Sequence, residues 1–289
     1  MLKTPDTIQP KRPVLRWHGG KFRLASWVHT FFPKHKTYVE PFCGAASVLL
    51  KKTRSWGEYL NDLDGEIINL FRVLQDDTSA ARLIHLLTVT PFARDEFLIA
   101  YDPADDPIEK ARRLCIRSFM GFSSGSATGR KTGFRCRSFR SNTGPATDWR
   151  NYPESLWAIV DRLRGVTIES RPALQVIGSL DTPESLFYVD PPYPESTRTN
   201  FGAYRFEMSD ADHEALAAAL KGCSGHVVIS GYRCDLYDAL YEDWPRFERR
   251  SMSDHGWRTE CVWLSPRTAM AIPSSPRQSQ LPMMENGHA

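Results

Sequence analysis

The chain has 289 residues, 41% of them hydrophobic and 25% charged, and its 37 lysines and arginines against 34 acids leave a formal charge of +3. That mix describes a globular chain of one large or two modest domains with material for a full core. No run of eighteen apolar residues exists and Met1 to Pro13 lacks an apolar centre, which excludes a membrane span and a secretory signal and leads us to expect a cytoplasmic protein.

Six cysteines (Cys43, Cys115, Cys136, Cys223, Cys234, Cys261) are scattered without a C-x-x-C pair, so reduced, mostly buried thiols are expected rather than disulfides or a metal site. Charge is unevenly placed. Between Arg112 and Arg150 stand nine basic residues and one acid, Asp148, which gives that segment +8 and the rest of the chain −5 (3 − 8), the mark of a local basic surface.

In chain order, residues 1–13 read as a polar leader that frays. Trp17-His18-Gly19-Gly20-Lys21 then sets two glycines between an aromatic and a lysine ahead of an amphipathic stretch, Leu24 to Phe32. Glycines there permit close backbone approach, and a helix start favours an anion; a plain turn before a helix is the competing reading. Thr37 to Phe42 reads as a buried strand passing through Glu40-Pro41-Phe42-Cys43-Gly44-Ala45-Ala46-Ser47 into a helix, Val48 to Lys51. Strand, small-residue turn and helix together suit a nucleotide-like ligand. A second strand, Trp56 to Leu60, ends in Asn61-Asp62-Leu63-Asp64. Asp62 at its tip is placed to hold ribose hydroxyls, while Asp64 fits the N-cap of a helix over Glu66 to Leu74.

Residues 76–165 do not read as sheet. Their first half has helical apolar spacing (Leu83, Leu86, Leu87) broken by prolines; their second, Phe119 to Trp149, mixes glycine, serine, arginine and aromatics without a period. Basic and aromatic residues interleaved in this way suit contacts to phosphates and bases. Leu186-Phe187-Tyr188-Val189-Asp190-Pro191-Pro192-Tyr193 is a buried strand ended by a rigid exit, which presents Asp190 and Tyr193 at the strand tip where open α/β sheets bind ligands. Ser209 caps a helix over Glu214 to Leu220. His226 to Tyr232 reads as another strand, Arg246 to Ser253 and Thr259 to Pro266 as a closing antiparallel pair, and 268–289 as a disordered tail.

Four blocks, Trp17-His18-Gly19-Gly20-Lys21, Glu40 to Ser47, Asn61-Asp62-Leu63-Asp64 and Asp190-Pro191-Pro192-Tyr193, in this order, resemble the DNA adenine methylase (Dam-like, D12 class) family of S-adenosylmethionine-dependent methyltransferases; the likeness runs from about Leu15 to Pro266. It implies an α/β fold: a Rossmann-like seven-stranded methyltransferase sheet formed by 14–75 and 166–267, with 76–165 as a helical, loop-rich target-recognition insert. It implies transfer of a methyl group from S-adenosyl-L-methionine to the exocyclic N6 amine of adenine in double-stranded DNA, with the base flipped out of the helix and no metal, by a monomer or weak dimer. Asp190, Pro191, Pro192 and Tyr193 would be catalytic, Asp190 and the Pro191 carbonyl accepting the amine protons and Tyr193 offering a ring face to the base. Trp17, Gly20, Lys21, Glu40, Phe42, Gly44, Asp62 and Asp190 would bind the cofactor, and Arg130, Lys131, Arg135, Arg137 and Arg140 the DNA. Two departures stand out: Ala45 and Ala46 replace a usual second glycine, and Pro172 follows Glu169-Ser170-Arg171 where the family commonly offers the cofactor's adenine a polar side chain. Cytosine N4, RNA amino groups and DNA binding without catalysis are the alternatives.

Overall fold

The computed structural model describes residues 9–136, 144–197, 205–253 and 256–272. The chain opens with α1 (Ala25–His29), β1 (Thr37–Glu40), α2 (Ser47–Lys51), β2 (Gly57–Asn61) and α3 (Gly65–Gln75). Five helices without a strand follow: α4 (Asp77–Val89), α5 (Arg94–Ile99), α6 (Pro107–Met120), α7 (Pro145–Arg150) and α8 (Tyr152–Leu163). Then come β3 (Val166–Glu169), α9 (Ala173–Leu180), β4 (Ser185–Val189), α10 (Asp210–Lys221), β5 (His226–Gly231), α11 (Asp235–Leu240), β6 (Arg246–Ser253), β7 (Gly256–Leu264) and α12 (Pro266–Ala271).

The strands form one seven-stranded sheet in the order β3-β2-β1-β4-β5-β7-β6. The first five are parallel, and β7 runs antiparallel between β5 and β6. All five residues of β4 are buried, because helices cover both faces and a strand in that position must be apolar throughout. The chain winds outward from β1 through β2 to β3, then returns to place β4 on β1's other side. The carboxyl ends of β1 and β4 therefore border the point where the winding reverses, the place such sheets keep for ligands. Seven strands agree with the expected fold. Six had been read as runs; β3 had not.

The helical insert shares its core with the sheet: Leu83, Leu114, Met120 and Leu156 belong to the same buried cluster as Tyr38, Leu60 and Leu186. An ion-pair network adds to this. Arg162 of α8 reaches Glu58 of β2 with both terminal nitrogens, at 2.6 and 2.9 Å, and Lys52 joins Glu58 at 3.3 Å. All three side chains are buried, and the arginine pulls the Glu58 carboxyl below its usual range despite the opposing effect of burial.

Three expectations need correction. The leader does not fray as far as residue 13: Pro10 is buried, the Gln9 amide donates to the Lys51 carbonyl at 2.8 Å, and Arg12 meets Asp148. Residues 268–271 are helix rather than tail. Thr268 lies in α12 with no exposure, its hydroxyl accepting from Val227 N at 2.9 Å and donating to Val227 O at 3.1 Å, so it finishes the hydrogen bonding at the start of β5.

The third correction concerns the basic segment. Arg112 pairs with Glu96 and Glu109, Arg113 with Glu109, and Arg117 with Glu66 at 2.5 Å, so three of the nine charges are neutralised by acids that lie outside the counted stretch. Of the six cysteines, Cys43, Cys115 and Cys261 are buried, Cys223 and Cys234 half-buried and Cys136 exposed, all as free thiols.

Candidate active site

A cavity of about 920 Å³, counting its open mouth, lies outside the carboxyl ends of β1, β2 and β4. The turn after β1 supplies Phe42, Cys43, Gly44 and Ala45; the end of β2 supplies Asp62, Leu63 and Asp64; β4 supplies Asp190 and Pro192. Trp17 to Lys21 form another wall, and Arg205 to Met208, from the segment after β4, a further one. The mostly apolar wall with a few carboxylates is that of a small-molecule site.

The turn after β1 is built by backbone constraint. Gly44 has φ +45°, and a Cβ there would lie 2.7 Å from the Trp17 indole nitrogen, so only glycine lets the ring close over the turn. Asp62 holds this turn: its Oδ2 accepts from Gly44 N at 2.8 Å, and its Oδ1 from Asp64 N at 2.9 Å. Burial pushes the Asp62 carboxyl up to about 6, against the pull of those amides. Asp62 also lines the cavity. Asp64 caps α3 by accepting from Glu66 N at 2.9 Å. Glu40 is only 2% exposed, and one of its oxygens accepts both from Leu49 N at 2.7 Å and from the Tyr38 hydroxyl at 2.8 Å. Burial pushes its carboxyl up to about 8, against the pull of those two donors.

Asp190 stands on the rim, and other polar groups grip it from behind. Oδ1 accepts from the Ser230 hydroxyl at 2.8 Å and the Tyr193 hydroxyl at 3.2 Å; Oδ2 lies 3.2 Å from the Lys21 ammonium. Lys21, 4% exposed, also contacts the Tyr193 hydroxyl at 2.5 Å, the Gly19 carbonyl at 3.0 Å and Glu260 at 3.7 Å. Two carboxylates around one ammonium keep the buried charge paired. Sheet register explains the grouping: Val189 pairs with Ile229 and Gly231 with Cys261, so Asp190, Ser230, Tyr232 and Glu260 follow one another across β4, β5 and β7.

Of the residues expected in the site, Trp17, Gly20, Lys21, Glu40, Phe42, Gly44, Asp62, Asp190 and Pro192 line the cavity. Tyr193 is placed differently. Its ring is 4% exposed, with Lys21 Nζ 4.9 Å from the centroid and the Tyr232 ring 4.7 Å away at 67°, so the open ring face expected for a base is covered in this structure. Ser230, Tyr232 and Glu260 were missed. The available signal was a polar residue within an apolar strand, and burial beside Glu260 raises the Tyr232 hydroxyl to about 12. The loop carrying Pro172 is clamped by Asn61, which accepts from Arg171 N and donates to Arg171 O, both at 2.9 Å.

The DNA-binding candidates divide. Arg130 and Lys131 are exposed, whereas the Arg135 side chain is 13% exposed and lies 3.5 Å from Asp148. Arg137 and Arg140 lie outside the described residues. Among the described residues no group of acids, histidines and cysteines could hold a metal ion, and no helix is long and apolar enough to cross a membrane.

Comparison with known proteins agrees with this geometry. The DNA adenine methylase of Haemophilus influenzae is 27% identical over 248 residues, covering 78% of this chain and 80% of that protein. The DNA adenine methylase of Escherichia coli K12 is 24% identical over 221 residues (74% and 76%), and the type II methyltransferase M.MjaIII of Methanocaldococcus jannaschii 24% over 260 residues (80% and 88%). The profile of the D12 class N6 adenine-specific DNA methyltransferases matches residues 17–254, from the Trp17 block to the β6–β7 turn. A carboxylate held at the tip of β4 beside a cavity at the switch point of the sheet, in a chain matched over most of its length, places this protein in the D12 class N6 adenine-specific DNA methyltransferase family, and it is a site-specific adenine DNA methyltransferase.

Proposed function

We propose that the methyl donor is S-adenosylmethionine, held in the cavity between the Trp17 block and the turn after β1, and that the acceptor is an adenine swung out of double-stranded DNA to the Asp190 rim. The donor set suits that cofactor: Asp62 has lone pairs left for ribose hydroxyls, and Trp17, Gly20, Phe42 and Gly44 offer a narrow wall to its uncharged parts. Glu40, whose carboxyl burial raises, adds a polar wall. When bound, S-adenosylmethionine supplies an electrophilic methyl group on a sulfonium.

The protein's task is to make the adenine amine nucleophilic. That nitrogen's lone pair is delocalised into the ring. The Asp190 carboxylate and the Pro191 carbonyl accept hydrogen bonds from its two N–H groups, which lets the nitrogen become pyramidal and its lone pair localise for attack on the methyl group; the proton the product amine then sheds passes to Asp190 or solvent. Lys21 and Ser230 keep the Asp190 carboxylate oriented before the base arrives, so little reorganisation is left for the reaction. Pro192 stiffens the loop, and the Tyr193 hydroxyl serves as a third support. A base inside the duplex cannot reach an atom at the bottom of such a rim, which is why extrusion is required.

Arg130 and Lys131, exposed in the insert loop, provide phosphate contacts, and Arg137 and Arg140 further along the sequence add to them, whereas Arg135 is held by Asp148. The enzyme acts as a monomer or weak dimer in the cytoplasm, where its DNA is. The observation that carries the reading is the preorganised Asp190 carboxylate at the cavity mouth. Mass spectrometry of nucleosides from DNA incubated with protein and S-adenosylmethionine tests it. N6-methyladenine is the expected product; methylated cytosine alone, or no product, overturns it.

A further inference from the structure

The β6–β7 ribbon outgrows the sheet. β5 ends at Gly231, opposite Cys261, whereas β7 starts at Gly256, so Gly256 to Glu260 pair with β6 alone. At about 3.4 Å per residue, Trp257 stands roughly 14 Å beyond the end of β5. Because β7 runs antiparallel, this overhang rises from the same edge of the sheet as Asp190. Two strand spacings separate β4 from β7, so the ribbon begins about 10 Å to the side of Asp190.

Its side chains are not those of a plain structural hairpin. From Arg246 to Arg258 the sequence has four arginines against Glu248 and Asp254. Arg246 is consumed by Asp238 at 2.6 Å and Glu248 at 3.1 Å, which also takes up Glu248. Arg249 and Arg250 are exposed and Arg258 half-buried. Trp257 is 61% exposed and lies beneath the Arg250 guanidinium, 5.3 Å from the ring centroid. Opposite pairs in an antiparallel ribbon share a face, so Arg258, across from Ser251, projects on the same side as Arg249 and the Glu260 that contacts Lys21. An exposed tryptophan and three arginines on a projecting ribbon match a polyanion in charge and supply a flat apolar face beside it.

We propose that this ribbon is a second DNA-backbone contact, standing on the opposite side of Asp190 from the recognition insert, so that the duplex is held between insert and ribbon. This rests on the DNA methyltransferase reading. Arg249 and Arg258 neutralise phosphates on the active-site face, while Arg250 is kept extended by Trp257 for a third. The contacts carry no base information and act on affinity rather than sequence choice.

The test compares wild type with Arg249→Ala/Arg250→Ala/Arg258→Ala, using a fluorescent 40-base-pair duplex titrated at several salt concentrations, alongside S-adenosylmethionine binding and a melting curve. Three lost phosphate contacts lower the slope of log K against log salt by about two to three. On plasmid DNA the same variant shows a raised KM and an unchanged kcat, with unchanged cofactor affinity. A folded variant with the wild-type slope and KM overturns the proposal. Should the triple variant melt early, Arg249→Gln/Arg258→Gln is used instead, with an expected slope change of about two. Wild type that neither binds nor methylates DNA fails the underlying reading, whereas wild type that does both, with ribbon variants that match it, fails the ribbon alone.

Discussion

The rim around Asp190 and the arginine-rich insert both carry dense charge, yet they use it in opposite ways. At the rim, Asp190, Lys21 and Glu260 come from three distant parts of the chain, and both carboxylates lie within 3.7 Å of the buried Lys21 ammonium, which holds the half-buried Asp190 in place. In the insert, neighbours in sequence diverge in space: Arg112, Arg113 and Arg117 turn inward to acids, and Arg130 and Lys131 face solvent. Charge counted along a sequence therefore measures surface potential only after its pairing is known. A rigid motif such as Asp190-Pro191-Pro192-Tyr193 carries its geometry with it.

The sharpest way to break this contrast is at the rim. Asp190→Ala should lower single-turnover methylation, with DNA and cofactor saturating, by about two to three orders of magnitude, the scale for loss of one preorganised electrostatic partner. Asp190→Asn should fall between, because its amide oxygen still accepts a hydrogen bond without full charge. A folded alanine variant with wild-type turnover would remove the carboxylate from the chemistry.

Within the insert, the two kinds of arginine should separate cleanly. Arg117→Ala removes a 6%-exposed guanidinium that bonds both Glu66 and the Ala100 carbonyl, and should cost about 2 kcal/mol of stability, moderated because Glu66 keeps Arg205 at 3.0 Å. Its effect on the salt dependence of DNA binding should be nil. Arg130→Ala/Lys131→Ala should do the reverse, with an unchanged melting temperature and a salt slope smaller by about two. Equal effects on both measurements would erase the distinction.

Legibility in the sequence followed the same line. β4 was readable because an apolar run ending in Asp-Pro-Pro admits few other structures, and the N-cap at Asp64 because its acceptor serves the next turn. β3 was not: only Val166 of its four residues is buried, as fits an edge strand, so it lacks the hydrophobic signature. Ser230 and Glu260 stand out in sequence only as polar residues within apolar strands; their role arises from strand register, a pairing between segments 30 or so residues apart. Thr268 was lost in a polar stretch because a hydroxyl that closes a strand end looks, in sequence, like any surface threonine.

The cavity wall between these regions offers a pH test. Glu40 is raised to about 8 from an ordinary 4.5, so between those values the folded chain holds a proton that the unfolded chain has released. The native state then binds more protons, and stability must fall as pH rises through that window. Asp62, raised to about 6 from 3.8, adds a decline in the same direction at lower pH. Melting temperature measured without cofactor from pH 5 to 8 should therefore drop. Glu40→Gln keeps a neutral acceptor for Leu49 N and should flatten much of the drop; an identical pH profile would mean that Glu40 is not the group responsible.

The smallest effect is expected at Ala46, which has φ 50° and ψ 34°, a left-handed conformation in which alanine is strained by about 1–2 kcal/mol relative to glycine. A glycine there would relieve that strain. Two terms oppose the gain. The Ala46 methyl is fully buried, worth about 0.8 kcal/mol, and a glycine adds unfolded-state freedom worth about 0.4–1 kcal/mol. These nearly cancel, so Ala46→Gly should move the melting temperature by less than about 2 °C, the equivalent of roughly half a kcal/mol in a domain of this size. Ala46→Val, by contrast, places a β-branched side chain in the same left-handed well inside a filled core and should cost several times more. A glycine variant stabilised as strongly as the valine variant is destabilised would show that backbone strain, not methyl packing, governs the turn beneath the cavity.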